Sequence, residues 1–235
     1  NGTDFYLFRP VKGDKNSLYN NNIGTICGDK QGHIYIRCKY AVVEYDIKKN
    51  TFHTIRDNDI QAITYDNARL WVCTRDSLFT YNRVEDRLDY YYNLEGVRMS
   101  CVTEDSAGNL YVGTMNNGLY MIDHNKKWLN YFPKKDITCI YEDSKKSIWV
   151  GTKDDGLFRL DRNGGITNYG TAPHQNMLSS SYVRCVVEDN LGNYWIGTFK
   201  GLDKLDVTTG TFTHYSKDNK PYSLSNSSII CMMKD

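Results

Sequence analysis

An excess of charge of either sign is missing from this sequence: 29 Lys and Arg stand against 28 Asp and Glu, a formal net charge of +1 over 235 residues. That balance removes the electrostatic case for a nucleic acid or an anionic membrane surface as partner. Long apolar runs are missing too. The longest, Ile229 to Met233, is about five residues, far short of the roughly 20 that a spanning helix needs. There is no start methionine, secretory leader or low-complexity tail, so the chain reads as a processed or excised piece without an address of its own. It also lacks H-E-x-x-H, G-x-S-x-G, a Walker loop and a Rossmann fingerprint. Seven cysteines include no C-x-x-C pair, and no Cys/His cluster has zinc spacing. No cofactor is implied. Hydrophobic residues at 40% leave enough apolar material for a packed core.

What the chain does have is one phrase in five copies. Asp189-Asn190-Leu191-Gly192-Asn193-Tyr194-Trp195-Ile196-Gly197-Thr198, followed by Gly201-Leu202 and Leu205-Asp206, is the clearest. Asp105 to Thr114 and Asp143 to Thr152 repeat it, each with its own Gly-Leu and Asp, and worn copies run from Asp29 to Cys38 and from Asp66 to Thr74. The aromatics fall at Tyr35, Trp71, Tyr111, Trp149 and Trp195, spaced 36, 40, 38 and 46 apart. A period of roughly 40 is that of propeller blades. Within a copy the apolar pattern has period two: Val183, Cys185 and Val187 alternate with Arg184, Val186 and Glu188. Four short strands, A to D, with no helical stretch between them, make one blade. Gly108 and Gly192 sit where the A–B hairpin needs positive φ.

The expected fold is therefore all-β: a β-propeller of four-stranded antiparallel blades over 23–56, 60–92, 97–132, 137–170 and 182–216. Residues 4–8 parallel a D strand and 228–235 an A strand, so the two chain ends are expected to form a partial further blade, in one propeller domain or a piece of a longer array. The A–B and C–D turns are short and uniform, whereas the B–C loops and D–A connections vary. A working surface is expected on the diverse rim.

The phrase resembles the two-component regulator propeller repeat, and so does the Ser223-Leu224-Ser225-Asn226 lead-in. Copies around Gly113-Thr114, Gly151-Thr152 and Gly197-Thr198 carry it strongly; the first two depart, with Arg37-Cys38 and Cys73-Thr74 in place of Gly-Thr. The resemblance implies the periplasmic sensor region of a hybrid two-component system of Bacteroides-type bacteria. There such propellers precede a β-sandwich, a membrane helix and a histidine kinase. It implies an oligosaccharide ligand, neighbouring propeller and sandwich domains, and a sensor dimer partner. No kinase, membrane insertion or nucleic-acid contact belongs to this segment, and the chain itself is not expected to be an enzyme.

Register turns the other conspicuous residues into architecture. Cys101, Cys139, Cys185 and Cys231 share one position on strand A, which calls for a small buried side chain, and equivalent positions on successive blades lie too far apart for a disulfide. The Glu-Asp pairs (Glu104-Asp105, Glu142-Asp143, Glu188-Asp189) resemble the carboxylate pairs of glycosidases, yet neighbours in a strand point to opposite faces. Asp105 to Asn109 lacks the carboxylates of a calcium loop, so no metal or disulfide is expected. The candidate ligand-binding residues lie on the diverse rim: Tyr40, Arg75, Arg98, Asn116, Lys153, Asp154, His174, Arg184 and Lys200, with Tyr90, Tyr91 and Tyr92 nearby. Aromatics under sugar faces and polar groups on hydroxyls would suit such a surface. A protein-interaction scaffold, or a propeller lyase or glycosidase, is the competing reading.

Overall fold

The computed structural model describes residues 5–170, 176–218, 220 and 223–234. Among them there is no helix, and twenty strands form five antiparallel sheets of four, each in simple chain order. The first sheet holds β1 (Ile23–Gly28), β2 (His33–Cys38), β3 (Ala41–Asp46) and β4 (Thr51–Arg56). In the second are β5 (Ala62–Asp66), β6 (Arg69–Cys73), β7 (Ser77–Asn82) and β8 (Arg87–Asn93). The third comprises β9 (Met99–Glu104), β10 (Leu110–Thr114), β11 (Leu119–Ile122) and β12 (Trp128–Tyr131). The fourth has β13 (Ile137–Glu142), β14 (Ile148–Thr152), β15 (Leu157–Leu160) and β16 (Ile166–Tyr169). The last has β17 (Val183–Glu188), β18 (Tyr194–Thr198), β19 (Leu202–Leu205) and β20 (Phe212–Tyr215). These are the blades of a β-propeller, and no helix is long and apolar enough to cross a membrane.

The chain divides into two compact units, 1–102 and 103–235. In the first, Tyr35, Val42, Ile60, Ile63, Leu70 and Val72 form a buried core joining the first two blades. In the second, Trp149 and Leu157 pack against Val183, Val186, Tyr194, Ile196 and Leu205 of the following blade. Each core lies between consecutive sheets, which is where the period-two pattern sends its apolar side chains.

Register explains the Gly of each Gly-Thr. Gly151 and Gly197 lie directly across from Cys139 and Cys185. A Cβ on Gly151 would strike the Cys139 sulfur and approach Val183 Cγ1 to 2.9 Å. In the second blade both residues change together, Ala62 facing Cys73, so the bulk is redistributed across the pair. The cysteine position is less buried than its sequence register implies: Cys101, Cys139 and Cys185 are half-buried and Cys231 is exposed, and all seven cysteines are free thiols. Each of these sulfurs abuts strand B at the sheet surface, so part of it stays open. Burial pushes the Cys185 thiol up to about 11.

The uniform turns are held by carboxylates. Asp143 Oδ1 accepts from the amides of Lys145 (2.9 Å) and Ser147 (2.8 Å), while Oδ2 accepts from Trp149 Nε1 and Tyr194 Oη, both at 2.8 Å. Asp189 repeats this with the amides of Leu191 and Asn193 and with Trp195 Nε1 at 3.0 Å. The preceding glutamates reach back to the previous blade. Glu188 accepts from Ser144 N (2.7 Å) and Oγ (2.6 Å), and Glu142 from Ser106 N (3.0 Å) and Oγ (2.8 Å). Gly108 and Gly192 close their hairpins at φ 86 and 82. The Glu-Asp pairs thus serve separate blades and do not flank a common bond.

Outer edge strands are covered by the connection that enters the blade. Phe52 N donates to Asn16 Oδ1 (2.6 Å) and Phe212 N to Asn176 Oδ1 (2.7 Å), with Leu18 and Leu178 buried beside them. This occupies donors that would otherwise invite pairing.

Neither 5–8 nor 228–234 forms a strand among the described residues. Residue 229 nonetheless occupies the position expected of a further A strand. Ile229 N donates to Thr198 O (3.0 Å), and Ile229 packs over Gly197 as Val183 packs over Gly151.

Removing one latch has a defined cost. Glu188→Ala strips two bonds from Ser144 and is expected to destabilise the protein by about 1–3 kcal/mol, read as a lower urea midpoint with unchanged m; an unaltered midpoint would contradict the role. Acid should act on the turns as well. Burial pushes Asp29 up, but the His33 ring and the His33 and Gln31 amides outweigh it, leaving its pKa lowered. Asp189 is likewise pushed up by burial and held low overall by Asn193, Trp195 and Leu191. A carboxylate whose pKa is lower folded than unfolded stabilises the fold above the unfolded value, and that contribution disappears as pH falls towards the folded value. Stability should therefore drop as pH falls below about 4, and Asp189→Asn should flatten the urea-midpoint profile there.

Candidate functional site on the variable rim

The variable rim is fixed by backbone hydrogen bonds and by a few side chains, Asp59, Asp136 and Thr198, that accept loop amides. In the first unit, Lys39 N donates to Asn22 O (2.7 Å), which makes the two-residue B–C turn tight and places Lys39 at φ 56. Tyr40 is half exposed, with Lys39 Nζ 5.7 Å from its ring centre, and its carbonyl accepts from Ile60 N (2.9 Å). Arg75 N donates to Asp59 Oδ2 (3.3 Å), and Arg75 O accepts from Met99 N (2.9 Å), which brings Arg75 beside the exposed Arg98. Each B–C loop is thereby tied to the start of the next A strand.

In the second unit Asp136 draws two of the candidates together. Its Oδ1 accepts from Asn116 N (2.6 Å), and its Oδ2 lies 3.9 Å from Lys153 Nζ. Asp154 is exposed, and Lys135 pairs with Asp155 at 2.8 Å. A second group is built on β17 and the B–C loop after β18. Phe199 N donates to Tyr182 O (3.0 Å), and their rings stack at 6.1 Å and 13°. Arg184 Cζ lies 4.9 Å from the Tyr182 centroid and 5.5 Å from that of Phe199. Lys200, exposed, follows with its amide on Thr198 Oγ1 (3.1 Å).

Of the candidate residues, Tyr40, Arg75, Asn116, Lys153, Asp154 and Lys200 lie in B–C loops, Arg98 just before β9 and Arg184 on β17. His174 lies outside the described residues. Tyr90, Tyr91 and Tyr92 belong to β8, where Tyr91 meets Trp71 edge-on at 4.7 Å and the exposed Tyr90 meets Phe79. Tyr182 and Phe199 were not among the candidates, although their signal was present. Where they stand, other copies have Asp136 with Lys153, or Asn22 with Lys39, all polar.

Concavities also occur away from this rim. One of 280 Å³ lies over Glu44, His53, Tyr81, Arg83 and Asp86 in the first unit. Its charges satisfy one another: Arg83 forks onto Glu44 at 3.0–3.2 Å, and Asp86 Oδ1 accepts from Tyr81 Oη (2.8 Å) with His53 Nε2 at 2.7 Å. Tyr45 and Asn50 make the corresponding contact one blade earlier (2.8 Å), which marks the Tyr81–Asp86 bond as part of the turn.

Residues 131–154 and 177–200 match the family model described as two component regulator propeller. These two segments, 48 of the 235 residues, are similar to the two-component regulator propeller repeat. Both matched segments end in B–C loops, and together they contain Lys153, Asp154, Tyr182, Arg184, Phe199 and Lys200. Among solved structures, the chain is similar to the extracellular domain assigned to the hybrid two component system BT3049 of B. thetaiotaomicron. The TM-score is 0.81 at 24% identity, covering 98% of this chain and 33% of that one. The extracellular domain of the one component system BT4673 of the same organism aligns at TM-score 0.72 and 20% identity, over 92% and 31%. This chain spans about a third of the length of either. Virginiamycin B lyase from Staphylococcus aureus shares the propeller fold at TM-score 0.69 and 13% identity, over 85% and 71%. No curated protein sequence matches the chain.

If Asp136 organises its part of the rim, Asp136→Ala should speed exchange of the Asn116 amide at least ten-fold, the equivalent of about 1.4 kcal/mol. Core amides of β14 and β18 should keep their protection. Unchanged exchange at Asn116 would show that the loop is held by other contacts.

Proposed function

We propose that this chain is a sensing module of the extracellular or periplasmic region of a two-component system, and that it binds an oligosaccharide on its variable rim. The observation that carries the reading is the coincidence of two facts. The segments similar to the two-component regulator propeller repeat end in the loops that bear Lys153, Asp154, Phe199 and Lys200, and all four side chains are exposed there. A half-exposed aromatic plane beside fixed cations and amides is the chemistry that holds a sugar ring by stacking and its substituents by hydrogen bonds.

In this reading the chain supplies recognition and leaves the output to domains beyond it. Blades locked face to face transmit displacement as rigid bodies, so a saccharide acts by favouring one arrangement of the module against its neighbouring domains or a dimer partner. It can do so only through different affinity for the two arrangements.

Isothermal calorimetry of the chain against a panel of neutral and acidic glycan fragments tests the proposal. Saturable binding of at least one fragment is expected, with Tyr40→Ala and Phe199→Ala separating contributions from the two stretches of rim. A folded protein that binds none of the panel would overturn the saccharide assignment. Turnover of a fragment would favour a lyase or glycosidase instead.

A further inference from the structure

Three departures from the repeat meet at one point of the second unit. On strand A, Arg184 stands where the other copies have Gly24, Gln61, Ser100 and Thr138; Tyr182 stands where they have Asn22, Asp59, Arg98 and Asp136. In the B–C loop, Phe199 replaces Lys39, Arg75, Met115 and Lys153. The other blades are built without an aromatic pair here and without an arginine at the Arg184 position, so the blade itself does not require this combination. The three residues come together as a pair of parallel rings with a guanidinium against both.

The guanidinium is uncommitted. Among the described residues Arg184 makes no hydrogen bond or ion pair, and its Nε is closed off from solvent without a partner. Arg37 of the first blade offers an internal comparison. It crosses from β2 into the space left by Gly24, where a Cβ would land on its guanidinium, and spends Nη1 on the Lys39 carbonyl at 3.0 Å. There the arginine holds a loop. Arg184 holds nothing, although Lys135 and Lys153 in the same unit have found carboxylates. A cation held against rings, partly dry and without a counter-ion, gains most from an arriving anion. Half of the Phe199 surface is open beside it, and Lys200 adds a second positive charge.

We propose that Tyr182, Arg184 and Phe199 form a subsite selective for an acidic saccharide, a sugar bearing a carboxylate. The ring stacks on Phe199, and the carboxylate meets the planar fork of Arg184, whose geometry suits it better than a lysine does. This rests on the saccharide-sensing reading and narrows it to a ligand class.

Calorimetry with trigalacturonate and its full methyl ester separates the two levels, because both offer the same rings and only one carries charge. The folded chain is expected to bind the acid at least ten-fold more tightly than the ester. Arg184→Gln should abolish that preference and leave ester binding unchanged. Phe199→Ala should weaken both, and circular dichroism checks that each variant remains folded. Equal affinity for acid and ester, or an acid preference that survives Arg184→Gln, overturns the inference while the saccharide reading stands. Preference for a sulfated trisaccharide over trigalacturonate would replace the carboxylate by another anion and also overturns it as stated. If neither probe nor any neutral glycan binds, the inference falls together with the reading beneath it.

Discussion

The structure depends on a buried carboxylate that does two jobs at once. Asp143 takes two turn amides on one oxygen, and on the other the indole of its own blade and the phenol of the next. Hydrogen bonds to an ionised acceptor are stronger than neutral ones, so a single side chain fixes the hairpin, seats Trp149 and aligns the neighbouring sheet. Glutamates one residue earlier fasten the preceding turn through a serine amide and hydroxyl. The Glu-Asp of the last two blades is thus a joint between sheets.

That division of labour separates the two rims. The uniform rim spends its charged side chains internally, even in the concavity over Glu44, Arg83 and Asp86. On the variable rim much of the fastening is done by main chain: Tyr40 O, Arg75 O and Tyr182 O each accept an amide from a neighbouring segment. Substitution of exposed side chains there changes the surface without changing the blade. The similarity to sensor and to lyase propellers at low identity has the same physical root.

Much of this was legible from residues alone, for a reason particular to repeats. Gly108, Gly192 and the aromatics at Tyr35, Trp71, Tyr111, Trp149 and Trp195 recur in register, and recurrence distinguishes a structural role from a chance one. Every strand of the five blades follows from that register. Residues 228–234 have the side chains of an A strand, and Ile229 sits where one would begin. Which face each of Tyr90 to Tyr92 takes on β8 was not legible, because sequence nearness to a loop says nothing of which way a strand carries its side chains. The pairing of Tyr182 with Phe199 was hidden by the 16 positions between them, though each was visible as an exception in its column.

The claim on which the account turns is that function sits on the variable rim. Amide chemical-shift mapping of the isotopically labelled chain, titrated with a glycan fragment that binds it, tests this most directly. Shifts gathered at 180–184 and 198–201, with the turns at Asp143 and Asp189 undisturbed, are the expected result. Shifts centred on those turns, or on the hollow lined by Glu44, His53 and Asp86, would contradict it.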